Sequence, residues 1–81
     1  MEGLPIGTVQ LFAFSFELRD WKICDGSLLT IPENRTLFTL IGNRYGGDGI
    51  HNFALPDLRK MVPIEGMTYQ ILVSAYFPAM A

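Results

Sequence analysis

TYQILVSAYF, at residues 68–77, is rich in β-branched and aromatic residues and contains neither glycine nor proline, as is typical of a β-strand. A second such run, TVQLFAFSF, occupies residues 8–16 near the other end of the chain. Both faces of this second run are largely apolar, which indicates a strand covered on both sides. Pairing the two runs would close the fold and hold both ends of the chain, so we predict that they are neighbouring strands.

Between these two runs the sequence predicts a short strand, one helix and long ordered loops. The short strand is WKIC at residues 21–24, which is followed by the turn dipeptide Asp25-Gly26. Thr30 and Glu33 have the spacing of a helix capping box, which predicts a helix at residues 32–41 with Thr30 as its N-cap. Its apolar stripe would consist of Leu37, Leu40 and Ile41, with Gly42 ending the helix.

This order of elements predicts the α+β class in a single domain at residues 1–81. The domain would have a few strands, one short helix and much loop. We expect Trp21, Leu37, Leu40, Ile41, Phe53 and Leu55 in the core.

The composition indicates that the domain contacts a partner. Of 81 residues, 49% are apolar and only 17% are charged, whereas about 25% is usual for charged residues. So small a body has little interior, and apolar side chains left outside usually mark an interface. The candidate interface residues are Phe12, Phe14, Phe16, Tyr76 and Phe77.

The charge pattern and the apolar runs exclude several classes of partner. The net charge is −2 and the six basic residues are scattered, whereas nucleic acid requires a basic face, so none is expected. No apolar run approaches the roughly 20 residues that span a bilayer. The first residues lack the basic and apolar regions of a signal peptide, so we expect none.

The sequence offers no catalytic, cofactor or metal site. Cys24 and His51 are the single cysteine and the single histidine, and no signature of a catalytic pair surrounds either. One chain therefore lacks the ligands of a zinc site, although a trimer could bring three copies of His51 together on its axis. We expect His51 to be a solvated loop residue.

Glycines and aspartates of the loops fit turn chemistry better than phosphate binding or acid–base chemistry. YGGDG at residues 45–49 has no Gly-Lys-Ser/Thr sequence of a phosphate-binding loop. Asp25, Asp48 and Asp57 all lie in turn-like sequences, where aspartate bonds to nearby backbone amides. We expect Arg59 to form a bidentate pair with one of these carboxylates.

The middle of the chain is an ordered series of motifs: WKICDG at residues 21–26, LFTLIG at 37–42, YGGDG at 45–49 and FALPDLR at 53–59. This series, with the opening PIGTVQLFAF at residues 5–14, resembles the phage tail collar domain of short tail fibres over about residues 4–63. Asp20 and Lys60-Met61 differ from the glycine and the Gly-Arg that are usual in the family. The intervening region before the closing strand, variable in many relatives, is missing. The motif residues expected to hold the loops together are Trp21, Cys24, Asp25, Gly26, Tyr45, Gly46, Gly47, Asp48, Gly49, Pro56, Asp57 and Arg59.

The resemblance implies a non-catalytic structural protein of a phage tail fibre or a tail-like appendage on the outside of a cell. It also implies self-association into a homotrimer or a larger polymer, and contact with other tail or fibre proteins. The alternative is a module that binds a host receptor or a cell-surface glycan, because aromatic side chains can form sugar-stacking platforms. The missing variable region favours a scaffold over a receptor binder.

Overall fold

A computed structural model describes residues 3–74 of the chain, where it has five strands, one α-helix and one 3-10 helix. This mixture confirms the α+β class. The elements are β1 (Val9–Phe12), β2 (Trp21–Ile23), β3 (Leu28–Thr30), α1 (Arg35–Ile41), β4 (Asn52–Ala54), the 3-10 helix Arg59–Met61 and β5 (Thr68–Leu72).

The central element is β5, which pairs with β1 on one side and β2 on the other, both antiparallel. Val9 lies opposite Ile71 in the first pair, and Trp21 lies opposite Leu72 in the second. The predicted pairing of the two terminal strands is therefore confirmed. β3 and β4 form a separate antiparallel pair in which Leu29 lies opposite Phe53.

The core lies between the two sheets and the helix, and it is small. Leu37 and Phe53 are fully buried, and burying each side chain stabilises the fold by about 1.5–3 kcal/mol. The buried cluster consists of Cys24, Ile31, Leu37, Phe53, Leu55 and Ile71, and Ile41 packs against it from the helix. Trp21 is also buried, but outside this cluster.

Leu40 was expected in the core, and that prediction was wrong, because its side chain is 56% exposed. A helix of seven residues presents one narrow stripe to the core, and Leu37 and Ile41 occupy that stripe. Leu40 lies at the rim, where its Cδ1 is 3.7 Å from the position that a Cβ on Gly7 would take.

The helix begins at Arg35, three residues later than predicted, and Thr30 is not its N-cap. Thr30 ends β3 opposite Asn52, and its hydroxyl donates to the Glu33 carboxylate over 2.8 Å. The Asn34 amide donates to the carbonyl of the buried Ile31, which closes a turn before the helix. Sheet pairing and the burial of Ile31 thus keep the supposed first turn of the helix from forming.

The first strand also ends early, at Phe12 rather than at residue 16. Residues 13–18, the crossing segment, then pass over the back of the sheet from β1 to β2. Gln70 is fully buried and holds this crossing segment. Its Nε2 donates to the Phe16 carbonyl over 2.9 Å, and its Oε1 accepts from the Leu18 amide over 3.1 Å. The Thr68 hydroxyl donates to the Phe14 carbonyl over 2.8 Å.

Candidate functional site

Two of the sequence motifs meet where the chain leaves β2. Asp25 and Asp57 form an isolated antiparallel bridge, and the Leu58 amide donates to the Cys24 carbonyl over 2.9 Å. The Asp25 carboxylate accepts from the Ser27 amide over 3.0 Å, so it stabilises its own turn. Gly26 follows Asp25 with a φ of 82° and packs against Asp57, and the neighbouring Pro56 is buried. The WKICDG and FALPDLR motifs therefore form one junction.

Arg59 forms a bidentate pair with Asp57, one of the three carboxylates named from sequence. Its Nε and Nη2 donate to the two carboxylate oxygens over 2.9 and 2.7 Å. These hydrogen bonds lower the pKa of Asp57 to about 2, and the same pairing raises the pKa of Arg59. The Arg59 side chain is 65% exposed and that of Asp57 is 48% exposed, so water screens the pair and it adds little to stability.

The carboxylate of Asp48 holds the end of the YGGDG loop by accepting hydrogen bonds from backbone amides. One carboxylate oxygen accepts from the amides of Ile50, His51 and Asn52 over 2.8, 2.8 and 3.0 Å. The Asp48 amide donates back to the Asn52 side chain over 2.9 Å. These bonds, with the Asn52 amide the largest cause and those of His51 and Ile50 next, hold the pKa of Asp48 well below its ordinary range. The carboxylate stays ionised as a turn acceptor.

The glycines of this loop let it lie directly on β4. Gly47 has a φ of 88°, and a Cβ there would be 2.5 Å from the Phe53 Cα, so no larger residue fits. The Ala54 amide donates to the Gly46 carbonyl, and the Gly49 amide donates to the Asn52 carbonyl. The loop thereby covers the outer edge of β4 and leaves Tyr45 half-exposed.

Cys24 and His51, the two residues considered as a catalytic pair, do not include an activated nucleophile. The Cys24 thiol is 1% exposed, and burial, followed by the charge of Asp25, raises its pKa to about 11. A thiol in that state is protonated at neutral pH and is a poor nucleophile. The His51 ring is exposed, with Nδ1 at 3.2 Å from an oxygen of Asp48.

No metal site is found in residues 3–74, and the cleft beside Cys24 is smaller than an ordinary ligand pocket. No group of three or more histidine, cysteine or acidic side chains converges there. The cleft beside Cys24, lined by Leu58, Met67 and Tyr69 among others, has a volume of about 70 Å³. Small-molecule pockets are usually on the order of 300–1,000 Å³.

The candidate interface phenylalanines form an aromatic ladder with Trp21. Phe12 meets Trp21 edge-on at 5.1 Å, and Phe14 stacks on Phe16 at 4.4 Å with an interplanar angle of 15°. Phe12 and Phe14 are half-buried, whereas Phe16 is 62% exposed. The other two candidates, Tyr76 and Phe77, lie outside the described residues.

Three structural residues were missed from sequence. Gln70 had a signal, since it is a single amide side chain within an apolar strand, and it is the one buried polar residue in the described part of the chain. The Glu17 carboxylate accepts from the Ile23 amide over 2.9 Å. Asn52 bonds to Asp48 twice, since its backbone amide donates to the Asp48 carboxylate and its side chain accepts from the Asp48 amide. The sequence around Glu17 and Asn52 does not distinguish them from ordinary surface residues.

Asp20 stands where the family usually has glycine, and the backbone shows why glycine suits the position. Its φ is 71°, a left-handed conformation that no other non-glycine residue adopts between residues 3 and 74. Aspartate tolerates this conformation better than most side chains. The Asp20 carboxylate also accepts from the Ser74 hydroxyl over 3.0 Å, and the Asp20 carbonyl accepts from the Val73 amide.

The model of one protein family, the phage tail collar domain, matches residues 7–63. The match includes both motif loops and the junction of Asp25 with Asp57. Comparisons with curated proteins and with solved structures gave no match. Over the part of the chain described here, no helix has the length and apolar character needed to cross a membrane.

Proposed function

The chain belongs to the phage tail collar domain family, and from this premise we propose that it is a self-associating scaffold that forms a homotrimer or a larger polymer. Collar domains are structural parts of phage tail fibres, so the chain is a structural component of a phage tail. Self-association and contact with other tail or fibre proteins are the proposal, and it assigns no catalysis to the chain.

The observation that carries the proposal is the amount of apolar surface on so small a body. In residues 3–74, nine large hydrophobic side chains are at least 36% exposed. Scattered exposed residues are normal, but apolar exposure of this extent in a chain with few charges favours contact with another protein. The exposed side chains are Val9, Leu11, Phe16, Leu28, Leu40, Tyr45, Ile50, Met61 and Ile64.

The polar motif residues support a scaffold rather than a reactive site. The carboxylates of Asp25, Asp48 and Asp57 all accept hydrogen bonds from nearby backbone amides. Groups committed in this way hold loops in place, and the lowered pKa values of Asp48 and Asp57 make these two carboxylates poor general bases near neutral pH.

The test is the mass of the 81-residue chain in solution, measured by light scattering after size exclusion over a range of concentrations. A stable trimer or larger polymer is the expected result. A chain that remains monomeric at the highest concentration would overturn the proposal.

A second candidate function is binding of a cell-surface glycan, favoured by the parallel stack of Phe14 and exposed Phe16. Flat aromatic faces can stack on the apolar side of a sugar ring. A glycan array probed with the assembled chain tests it, with Phe16→Ala as the variant and Ile50→Ala as the control, since Ile50 is exposed at 74% and Phe16 at 62%. Binding lost only in Phe16→Ala would support the candidate, and silence of the whole array would reject it.

A further inference from the structure

The two outer strands of the three-stranded sheet, β1 and β2, differ in whether the backbone groups on their outer edges are hydrogen-bonded. Strand edges expose unpaired amides and carbonyls that can pair with another chain, and proteins usually block them. On the β2 edge, the Glu17 carboxylate accepts from the Ile23 amide, and the Leu18 carbonyl accepts from the Trp21 amide. Lys22 adds a charge to this strand. The β2 edge is therefore blocked.

The β1 edge has none of these protections within the described residues. Because Thr8 bonds to Leu72, the alternation of an antiparallel ladder directs Gln10 and Phe12 toward β5, and the amides and carbonyls of Val9 and Leu11 away from it. No hydrogen bond to either outward amide is found in residues 3–74. The strand VQLF carries no charge and no proline.

The side chains along this edge are apolar and incompletely covered. Val9 and Leu11 lie opposite Ile71 and Tyr69, so they share the face that packs on the core. They are nevertheless 39% and 36% exposed. The edge therefore offers both backbone hydrogen bonds and apolar surface, which are the two requirements for adding a strand.

We propose that β1 pairs antiparallel with β1 of a second copy of this chain, about a twofold axis at Gln10. This inference rests on the proposed self-association and names one surface that takes part in it. With Gln10 opposite Gln10 of the second copy, each Val9 lies opposite Leu11 of the other copy, and the outward amides and carbonyls of both residues are satisfied. The pairing joins two three-stranded sheets into one.

The strand is complementary to itself, which argues for a second copy as the occupant. Val9 and Leu11 are equidistant from Gln10, so the twofold axis places apolar side chain against apolar side chain on the core face. The absence of charge from VQLF means that two copies meet without repulsion. The outer edge of β3 is less suitable, because the Thr30 carbonyl there already accepts from the Asn34 side chain.

Edge pairing joins two copies of the chain, whereas a trimer needs a threefold contact elsewhere on the surface. If both contacts form, the β1 edge links two trimers. The proposed function alone expects a trimer or a larger polymer, whereas the edge pairing narrows the expected mass to an even number of chains, because each open edge takes one partner.

A disulfide trap tests the axis directly. Residues directly opposite in a pair without mutual hydrogen bonds have Cα atoms about 4.5 Å apart, within disulfide reach. Gln10→Cys should give a covalent dimer on a non-reducing gel after mild oxidation, and the buried Cys24 should not compete. Leu28→Cys is the control, since it is 58% exposed on the β3 edge, and it should remain uncrosslinked.

Two outcomes of the trap would overturn the edge pairing. One is a folded Gln10→Cys chain, checked by circular dichroism, that does not crosslink. The other is crosslinking of Leu28→Cys to the same extent, which would show unspecific collision.

Light scattering of charge variants separates this inference from the proposed function. Leu11→Lys should halve the mass of the wild-type assembly, and the matched Leu28→Lys should leave it unchanged. A wild-type trimer that Leu11→Lys does not alter would refute the edge pairing but leave self-association intact. A wild-type monomer would refute both.

Discussion

Replacing Gln70 by methionine should destabilise the domain far more than the same change in its cross-strand neighbour Gln10. Gln70 is fully buried, and its amide joins the Phe16 carbonyl, the Leu18 amide and the Thr68 hydroxyl over 2.9–3.1 Å. Each such bond contributes about 0.5–1.5 kcal/mol, and methionine leaves the partners unpaired. The free energy of unfolding should therefore fall by about 3 kcal/mol.

The assay is urea unfolding followed by circular dichroism, with both variants at one protein concentration and the mass of each checked by light scattering, because Gln10 lies on the proposed axis of association. For a domain of this size, a loss of about 3 kcal/mol lowers Tm by roughly 12–24 °C. Gln10 makes no side-chain hydrogen bond within residues 3–74, so Gln10→Met should stay within about 0.5 kcal/mol of the wild type. Equal stability of the two variants would refute the role of Gln70 as the anchor of the crossing segment.

Three further predictions concern the loops and the thiol. Gly47→Ala should lower stability in urea by at least about 2 kcal/mol more than Gly66→Ala, because both have positive φ but only the first places a Cβ 2.5 Å from the Phe53 Cα; equal losses would contradict the clash. The lowered pKa of Asp48 means that its carboxylate stabilises the fold above its unfolded pKa of about 4 and loses this effect as pH falls through the folded value. The Tm of the wild type should thus drop more steeply from pH 4 to pH 2 than that of Asp48→Asn. If the two Tm curves fall in parallel, the ionised Asp48 carboxylate does not stabilise the fold. The Cys24 thiol, with its pKa raised to about 11, should react with an aromatic disulfide at pH 8 at least tenfold more slowly when folded than in urea, and similar rates would show that it is accessible.

The features that were predicted correctly from sequence are those set by residues close together in the chain. Three features depend on neighbours along the chain: the strand-forming composition of residues 9–12 and 68–72, the turn at Asp25-Gly26 and the glycine that ends the helix. The motif series was specific enough to indicate the family, and its turn residues Asp25 and Asp48 bond to backbone amides two to four positions further along the chain.

The capping-box prediction failed because tertiary pairing outweighed a local signal. Thr30 and Glu33 do contact each other, through a hydroxyl-to-carboxylate bond, but β4 recruits Thr30 into a strand. A cap contributes about 1 kcal/mol, which is less than the combined gain from a sheet pair and the burial of Ile31.

By itself the sequence determined the class of fold, the pairing of the terminal strands and the family, since these follow from composition, period and motif order. Only the tertiary structure decided that residues 13–18 cross the back of the sheet, that one sheet edge is blocked, and that the other is open. The bonds responsible join Gln70 to Phe16, 54 residues apart in the chain. Such contacts depend on the three-dimensional position of the strands, which no local pattern specifies.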